Sequence, residues 1–334
     1  MSDNRIIRRL NHIGSSVRFM TSAVTTRYHP LLAQVVVTRR CNLSCGYCNE
    51  YDDFSPPVPL ETLLARIDHL AGLKTAAITF TGGEPLLHPR LEQIIRAARG
   101  HGIIVTMITN GFRLSRKRIE QLNAADLQGM QISIDNLEPD EVSMKSLSSV
   151  ERKLDLLAEH ARFKVNVNSV LGISDERTRD VIKVAETAAA HGFYHSVWVL
   201  HDHTGALKPL SPLQMAAYRR VTAISPSFTH HINYRLFQKN LMHGRPNDWK
   251  CRAGARYLYI CEDGKVHWCS QHRGYPGIPL LEYTVEDIKR EFNTRKDCSS
   301  TCTLSCVHQM SAFDRWRGPQ TISDPHSATA VENT

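Results

Sequence analysis

The sequence predicts an α/β protein built on a parallel sheet, and three observations support this fold class. Six short runs of apolar and β-branched residues recur between residues 34 and 200, separated by amphipathic helical windows. The runs are apolar almost throughout, which is typical of strands that are buried on both faces of a parallel sheet. Hydrophobic residues make up 42% of the 334 residues, which is enough for a substantial core. Such a sheet is either an open barrel or a doubly wound sheet.

The elements follow one another in strict alternation. The predicted strands are Gln34–Thr38, Ala76–Phe80, Ile103–Thr109, Met130–Ile134, Lys164–Val170 and Ser196–Leu200. The predicted helices between them are Leu60–Leu70, Leu91–Arg99, Ser115–Leu122, Leu147–His160 and Glu176–His191. Because a helix separates each strand from the next, the strands are parallel and their C-terminal ends meet at one edge of the sheet. That edge is where α/β proteins collect their chemistry.

The segment before the first strand is basic and amphipathic. Arg5–Val24 predicts a helix that either packs across the end of the sheet as a cap or lies on an anionic membrane surface. The formal net charge of the chain is +8, but Lys and Arg are scattered and no nucleic-acid-binding module is legible. We therefore expect no nucleic-acid partner. No apolar run is long enough to span a bilayer.

Cysteine usage points to metal ligation. The chain has nine cysteines and no export signal, which argues against a disulfide framework and for a cytoplasmic metalloprotein. Three of them, Cys41, Cys45 and Cys48, lie within eight residues in the loop after the first strand. Three sulfurs can hold three corners of an iron–sulfur cube and leave the fourth iron open, whereas electron-carrying cubes normally have four cysteines. A zinc site and a chance cluster remain alternatives.

Polar residues and glycines follow the next strands. Gly82, Gly83 and Glu84 come after the second strand, where two glycines allow close backbone approach to a ligand. Asn110 follows the third strand, while Ser133 ends the fourth and Asn168 lies on the fifth. Each signal is weak alone, because Gly-Gly and Asn-Gly usually mark turns. Their shared position beside the cysteine loop predicts one binding site.

These two motifs resemble those of the radical S-adenosylmethionine superfamily. The three cysteines match its cluster motif, Tyr47 matches the aromatic position before the last cysteine, and Gly82 to Pro85 match its Gly-Gly-Glu-Pro motif. The resemblance covers about residues 32–201. It implies a partial (β/α)6 barrel of parallel strands and a 4Fe–4S cluster that binds S-adenosylmethionine and generates a 5′-deoxyadenosyl radical, which abstracts a hydrogen from the substrate.

The resemblance also implies roles for individual residues. Gly82, Gly83 and Glu84 would receive the amino group of S-adenosylmethionine, and Tyr47 would lie near its adenine. Three further candidate cofactor contacts are Asn110, Ser133 and Asn168. For Glu84 the alternative is a solvent-facing residue of an ordinary turn. The fifth predicted strand of this sequence lacks a clear form of the glycine-rich signature that the family usually has there.

A second cysteine cluster lies near the C-terminus. Two short strands, Leu258–Ile260 and Lys265–Trp268, flank an Asp-Gly turn and predict a β-hairpin. The region is similar to the SPASM and twitch extensions of the superfamily. Six cysteines are too few for two fully ligated cubes, so we expect one auxiliary 4Fe–4S cluster, held by Cys251, Cys269 and two of Cys298, Cys302 and Cys306. Cys261 is interpreted as a buried apolar residue, and structural zinc is the alternative.

Between the barrel and this region the helical period breaks. His201–Gly205 is interpreted as a polar, substrate-lining loop, with a metal pair as the alternative, and Pro209–Ile224 as a helix. Ser225–Asn247 is expected to be irregular, with His230 and His231 at the surface. The resulting domain boundaries are 1–32, 33–205, 206–248, 249–317 and a disordered tail at 318–334.

The function expected from these patterns is hydrogen abstraction from a small molecule or short peptide, assisted by the auxiliary cluster in oxidation, crosslinking or epimerisation. A reductase or flavodoxin-type protein would supply electrons. Two alternatives are a radical enzyme acting on a lipid at a membrane and a non-catalytic iron–sulfur redox protein. The Gly-Gly-Glu-Pro motif argues against the second, because an electron carrier needs no site for an amino group.

Overall fold

The computed structural model describes residues 14, 17, 19–48, 50–172, 174–200, 208–224, 228–318 and 320–321. Three predicted features fall largely outside these residues: the first part of the N-terminal helix, the loop His201–Gly205 and the C-terminal tail. Among the described residues, no helix is both long enough and apolar enough to cross a membrane.

Six parallel strands form the body of the protein. They are β1 (Leu32–Thr38), β2 (Ala77–Gly82), β3 (Ile104–Thr109), β4 (Gly129–Ser133), β5 (Lys164–Leu171) and β6 (Tyr194–Val199). The helices between them are Leu60–Gly72, Leu91–Gly100, Arg116–Ala124, Leu147–His160 and Thr178–Ala190. All the predicted strands and helices of this region exist, and their ends lie within two residues of the predicted ones. The α/β fold class is confirmed.

The sheet curls into a partial barrel. Alternate strand residues such as Val35, Phe80 and Val105 are fully buried between the sheet and the helices. The opposite, concave face carries both polar and apolar residues, and Gln34 of β1 lines the same cavity as Ser196 of β6. Strands at the two ends of the six-stranded array therefore face one interior space, which distinguishes this sheet from a flat, doubly wound one.

The C-terminal extension continues the sheet instead of standing beside it. The predicted hairpin is present as β7 (Tyr257–Ile260) and β8 (Lys265–Cys269), and β9 (His272–Pro279) follows in antiparallel pairing. β7 pairs in parallel with β1, which gives a nine-stranded sheet in the order β6-β5-β4-β3-β2-β1-β7-β8-β9. Within the six parallel strands alone, β1 would be an unpaired edge. An exposed row of backbone donors and acceptors is costly, and β7 satisfies it.

Helices cover the remaining open side. The helix Pro212–Ile224 agrees with its prediction, but the expectation of an irregular segment is wrong for residues 228–242, which are helical. Helices Phe228–Asn233 and Lys239–Met242 are joined there by one π-helical turn, Tyr234–Gln238. No glycine or proline interrupts this stretch, and its buried residues recur at helical spacing. After β9 come the helices Val285–Asn293 and Ser305–Ala312.

The first and last segments of the described chain are in contact with each other. Residues 19–25 are helical, and the Phe19 ring lies 5.9 Å from the Phe313 ring. Arg256 is fully buried, pairs with Asp314 at 2.7 Å and donates to the Ala23 carbonyl at 2.5 Å. A buried, paired arginine of this kind fixes the N-terminal segment against the C-terminal extension. The described part of the predicted N-terminal helix thus packs against the C-terminal extension.

Candidate functional site

The first cysteine loop begins where β1 ends. The Cys41 amide donates to the Asp52 carbonyl at 2.9 Å, and the Cys48 amide donates to the Cys45 carbonyl at 3.1 Å. Two sulfurs accept backbone N–H groups: Cys41 Sγ from Leu43 and Cys45 Sγ from Met144, each at 3.4 Å. Burial raises the pKa values of Cys41 and Cys48. Burial thus opposes the ionisation of these two thiols in the chain without a bound metal.

Gly82 and Gly83 lie directly against the start of this loop. The Gly83 amide donates to the Thr38 carbonyl at 2.9 Å. A Cβ on Gly82, whose φ is 129°, would lie 2.1 Å from the Thr38 carbonyl oxygen. A Cβ on Gly83 would lie 2.2 Å from the Arg39 oxygen and 2.4 Å from the Arg40 oxygen. The atoms that approach these two glycines so closely belong to the chain's own backbone, and this close approach is why glycine is required at both positions.

Glu84 is completely buried, which excludes the alternative of a solvent-facing turn residue. Its Oε1 accepts from Thr109 Oγ1 at 2.7 Å and from the Leu86 amide at 3.0 Å, and its Oε2 accepts from the Asn110 amide at 2.7 Å. Burial raises its pKa, and the three donors oppose that change. Oε2 accepts one hydrogen bond and keeps a further acceptor site, so the expected contact with a ligand's amino group stays a prediction. Glu84 also ties the end of β2 to the end of β3.

Asn110 completes this connection. Its amide donates to Glu84, while its side-chain Nδ2 donates to Asn42 Oδ1 at 3.1 Å and lies 3.7 Å from Cys41 Sγ. A chain of hydrogen bonds thus runs from the end of β2 through the end of β3 to the first cysteine. It orients the cysteine loop from the sheet side.

Tyr47 is held by residues that follow β4. Its hydroxyl donates to Asp135 Oδ2 and accepts from Lys145 Nζ, both at 2.7 Å, and Ser143 also donates to Asp135 at 2.7 Å. Burial lowers the pKa of Lys145, but the charges of Tyr47 and Asp135 more than offset this and raise it. The residue as a whole remains 39% exposed. Tyr47 therefore offers an aromatic face at the mouth while its hydroxyl is fixed.

Ser133 and Asn168 face each other across β4 and β5, as neighbours in register. Asn168 Oδ1 accepts from Ser196 Oγ at 2.8 Å. Both residues lie at the C-terminal part of their strands, two positions beyond Gln131 and Asn166. With Tyr47, Asn110 and the glycines, they occupy the edge of the sheet where they were predicted to lie.

Beneath this edge the barrel encloses a cavity of about 750 Å³. Its lining is rich in uncharged polar side chains from the strands and from the helices on the open side: Gln34, Thr79, Thr106, Gln131, Asn166, Ser196, Asn233 and Gln309. Lys164 is the single Lys or Arg of the described lining, which contains no Asp or Glu. His230, expected at the surface, is buried and lines this cavity.

Four of the six C-terminal cysteines line a second cavity, of about 260 Å³. They are Cys251, Cys269, Cys298 and Cys302. The same cavity is lined by Lys296, which is fully buried, pairs with Glu291 Oε2 at 3.5 Å and lies 5.2 Å from the Trp268 ring centre. Four sulfurs beside one buried cation suit an anionic metal centre, because the ammonium offsets part of the negative charge of bound thiolates.

The spacing of these sulfurs is too wide for one zinc ion. Tetrahedral zinc with Zn–S distances of about 2.3 Å brings its sulfurs to within roughly 4 Å of one another. In the described part of the chain, the one group of three potential ligands within 4.8 Å of one another is Cys261, Asp263 and His267, which excludes any three of the four sulfurs. The four cysteines therefore fit an iron–sulfur cluster, which separates its ligands further.

Cys261 and Cys306 lie apart from this cavity. Cys261 is buried, as expected, but beside Asp263 and His267. His267 Nδ1 accepts from the Gly274 amide at 2.8 Å, so neutral His267 carries its proton on Nε2. Cys306 instead lines the barrel cavity and contacts Tyr257. Its expected place among the possible cluster ligands is not supported, because the start of its helix turns its side chain away from the four sulfurs.

Comparison with known proteins gives a family and several relatives. The model of the Radical SAM superfamily matches residues 35–201. A GTP 3′,8-cyclase from Chlorobaculum tepidum is 29% identical over 221 residues, which cover 61% of this chain and 66% of the cyclase. A PqqA peptide cyclase from Xanthomonas oryzae pv. oryzae is 30% identical over 288 residues, which cover 79% of this chain and 75% of that protein.

Solved structures share the fold. Streptococcus suis SuiB superposes with a TM-score of 0.56 at 16% identity, covering 97% of this chain and 83% of that one. A structure of anSMEcpe with bound AdoMet gives a TM-score of 0.55 at 17% identity, covering 78% and 77%. At these identities the likeness establishes the architecture, including the continuation of the fold beyond β6.

Several residues of the two sites were not predicted from the sequence. Asp135, Ser143 and Lys145 support the first cysteine loop from a segment about 90 residues away, and Lys296 lies in the second cavity. Asp135 follows a strand end, which was a usable signal. The others lie in loops whose position depends on the folded chain, and neither spacing nor period identifies them.

Proposed function

Because the chain belongs to the radical SAM superfamily, we propose that it is an enzyme that abstracts a hydrogen atom from an uncharged peptide segment held in the barrel. Membership of the superfamily implies a 4Fe–4S cluster and S-adenosylmethionine. Together these supply, when bound, a 5′-deoxyadenosyl radical at the mouth of the barrel.

In this proposal Cys41, Cys45 and Cys48 hold the cluster through three of its irons. Gly82 and Gly83 place the loop by direct backbone contact, and Glu84 with Asn110 braces it, so we assign these residues to positioning. The exposed ring of Tyr47 remains the candidate for adenine, and Ser133 and Asn168 remain candidates for polar groups of the cofactor. A flavodoxin-type protein is the expected electron donor.

We also propose an auxiliary iron–sulfur cluster held by Cys251, Cys269, Cys298 and Cys302. Its support is the cavity that these four line, the wide spacing of their sulfurs and the buried ammonium of Lys296. Such a cluster supplies one-electron chemistry next to the barrel. Four cysteine ligands leave it no open iron, so the substrate is expected to be held by the barrel residues.

We choose the proposed substrate class mainly from the charge of the barrel cavity. A nucleoside triphosphate such as GTP requires several cationic groups around its phosphates, whereas the described lining offers Lys164 alone. A lipid chain requires a continuous apolar lining, whereas in this one apolar residues such as Met107 and Trp198 alternate with amides and hydroxyls. Its volume of about 750 Å³ suits a drug-sized ligand or a few residues of a peptide. Backbone and side-chain amides of a peptide match these donors and acceptors.

The test uses anaerobically reconstituted protein, reduced with dithionite and supplied with S-adenosylmethionine. One reaction contains a pool of synthetic peptides of about ten uncharged residues, and a parallel one contains GTP, both in D₂O. We expect at least one peptide to change in mass and GTP to be recovered unchanged. The Cys41/Cys45/Cys48→Ala variant serves as the inactive control. Conversion of GTP with no change in any peptide would overturn the proposed substrate class.

A further inference from the structure

The barrel cavity reaches the end of the strands opposite to the first cysteine loop. That loop follows the C-terminal end of β1. At the other end, the cavity is lined by the first residue of five of the six parallel strands, and none of the five is buried: Leu32, Ile104, Gly129, Lys164 and Tyr194. Tyr194 is 55% exposed. The strand starts therefore form a solvent-accessible opening, which we call the N-terminal mouth.

The cavity runs along almost the whole length of the strands. On β3 its lining extends from Ile104 to Ile108, and on β6 it extends from Tyr194 to Trp198. Each pair is four positions apart, and parallel strands rise about 3.3 Å per residue, so the lining extends over about 13 Å. An extended peptide covers the same distance with about four of its own residues.

Lys164 gives the N-terminal mouth a positive charge that no described lining residue balances. The described lining contains no Asp, Glu or Arg and no second Lys. Burial lowers the pKa of His195 to about 3 and also lowers the pKa of His230, so these two lining histidines are neutral at pH 7. The ammonium group of Lys164 forms no ion pair within the described part of the chain. The cavity thus presents one cation, at its solvent-accessible end.

The alternation of β5 places Lys164 in line with the proposed cofactor site. Lys164, Asn166 and Asn168 are alternate residues of this strand, so their side chains share one face of the sheet, and Lys164 and Asn166 both line the cavity. Asn168 is a candidate contact of S-adenosylmethionine and lies four residues, or about 13 Å, further along the strand. A group bound at Lys164 is therefore separated from the proposed radical source by about the length of the cavity.

We propose that Lys164 binds a carboxylate of the peptide substrate at the N-terminal mouth and so selects which residue of the peptide reaches the radical source. The inference rests on the proposed function, which supplies the peptide. One ammonium group balances one carboxylate and donates charge-assisted hydrogen bonds to it, whereas a phosphate monoester carries about two negative charges. The carboxylate is either the C-terminus of the peptide or the side chain of an Asp or Glu that flanks the uncharged segment. The residue that reacts should lie about four positions from it.

The first test measures binding and needs no turnover. Reconstituted protein with S-adenosylmethionine, but without a reductant, is incubated with the pool of synthetic peptides of about ten uncharged residues. Each peptide is made with a C-terminal carboxylate and as a C-terminal amide, and a third set consists of amides that carry one Glu. Mass spectrometry after rapid gel filtration gives the amount of each peptide retained. We expect a carboxylate-bearing set to be retained about fivefold more than the uncharged amides, and we expect this preference to weaken with salt.

Three variants assign this preference to Lys164. Lys164→Gln should retain acids and amides equally, whereas Lys164→Arg should keep the preference because it keeps the charge. Lys183→Gln is the matched control, because Lys183 is an exposed lysine of the helix Thr178–Ala190 and does not line the cavity. Retention of the free acids identifies the C-terminus as the ligand, and retention of the Glu-containing amides alone identifies a side chain. Equal retention of all three sets by the wild type, or an unchanged preference in Lys164→Gln, would overturn the inference.

The second test measures the distance under turnover, with dithionite added. The carboxylate that the first test favours is moved one residue at a time, by shortening the C-terminus or by shifting the Glu. Tandem mass spectrometry locates the changed residue, which should lie about four positions from the carboxylate and should move with it. A changed residue that stays in place when the carboxylate moves would overturn the selecting role of Lys164 alone. If no peptide changes while Lys164 still retains the carboxylate-bearing peptides, the proposed function fails and the carboxylate site stands.

Discussion

The two cysteine sites of this protein differ in how the chain builds them. Cys41, Cys45 and Cys48 come from eight consecutive residues of one loop, whereas the four cysteines of the second cavity come from separate segments. Cys251 precedes β7, Cys269 ends β8, and Cys298 and Cys302 belong to the turn before the last helix. The first site is therefore formed by one short local segment, whereas the second requires separate segments of the extension to fold together.

Their support differs in the same way. The first loop is braced by neutral backbone contacts from Gly83 and by the hydrogen bonds of Glu84 and Asn110. The second cavity is supported by a buried ion pair between Lys296 and Glu291, with Trp268 donating to Glu291 at 2.7 Å. In the proposed assignment, the loop that leaves one iron open has its geometry fixed by neighbouring residues, and Lys145 adds a cation beside Tyr47. The proposed four-thiolate centre has a cation, Lys296, in its own cavity.

The largest expected effect is a loss of S-adenosylmethionine cleavage, which only the first of the two cysteine sites should produce. Replacing Cys41, Cys45 and Cys48 with Ala should remove about four irons per chain and abolish cleavage of S-adenosylmethionine, because three ligands of one cluster are lost. Replacing the four cysteines of the second cavity with Ser should remove a similar amount of iron while cleavage persists. Iron analysis, EPR and chromatography of 5′-deoxyadenosine provide the measurements. Continued formation of 5′-deoxyadenosine by the first variant would contradict the assignment.

The second prediction tests the brace of the first loop. Gly83→Ala introduces a Cβ 2.2 Å from the Arg39 carbonyl oxygen, and only backbone movement can relieve that contact. We expect a loss of stability of up to about 3 kcal/mol and a loss of iron from the first cluster. Gly72→Ala is the matched control, because its added Cβ would meet nothing within 4 Å and a helix end tolerates Ala. Thermal unfolding and iron content are the two measurements. A normal first cluster in Gly83→Ala would show that the position of the cysteine loop does not depend on its contact with Gly83.

The strands and helices of the barrel could be predicted because each has a local signal. Buried strands such as β5 read as continuous β-branched runs, and the helix Leu147–His160 has its apolar residues at a period of 3.6. The pairing of β7 with β1 has no local signal, since β7 is only four residues long and its partner lies about 220 residues earlier. The same limit applies to the choice of Cys298 and Cys302 over Cys306.

The position of Glu84 was predicted correctly from its motif, but the predicted role of this residue was incomplete. Its place at the end of β2 was predicted, and sequence alone allowed a contact with a ligand or with solvent. The donors that surround it, Thr109 and the Asn110 amide, come from the end of β3. Only the parallel pairing of β2 with β3 brings them together. The motif predicted a carboxylate at this position, but it could not predict which groups would donate hydrogen bonds to that carboxylate.

The third prediction concerns this carboxylate. Glu84→Gln keeps the shape but turns an NH₂ group towards the Asn110 amide, so one charge-assisted hydrogen bond is lost and two donors face each other. We expect a loss of stability of about 1.5–3 kcal/mol and weaker retention of the first cluster. Glu120→Gln, at an exposed helix position, should change stability by less than about 0.5 kcal/mol.

Thermal unfolding of the iron-free protein and calorimetry with S-adenosylmethionine separate the two roles of Glu84. A positioning role lowers the melting temperature and leaves the affinity of a fully loaded sample close to that of the wild type. A ten- to hundredfold weaker affinity with unchanged stability would instead show that the carboxylate contacts the amino group directly.

The smallest expected effect concerns the ion pair that joins Glu50, two residues after Cys48, to Arg273 of β9. The Glu50–Arg273 distance is 2.8 Å, both side chains are about three-quarters buried, and Glu50 also accepts from the Tyr259 hydroxyl. A double-mutant cycle with Glu50→Gln and Arg273→Gln should give a coupling energy near 1 kcal/mol, at the upper end for partly exposed pairs, and it should weaken with salt. The Arg116–Glu120 pair, which is more than half exposed at both ends, is the matched control and should give about 0.3–0.5 kcal/mol. A coupling no larger than that of the control would show that this ion pair contributes no more than an exposed surface pair to holding the first loop against the extension.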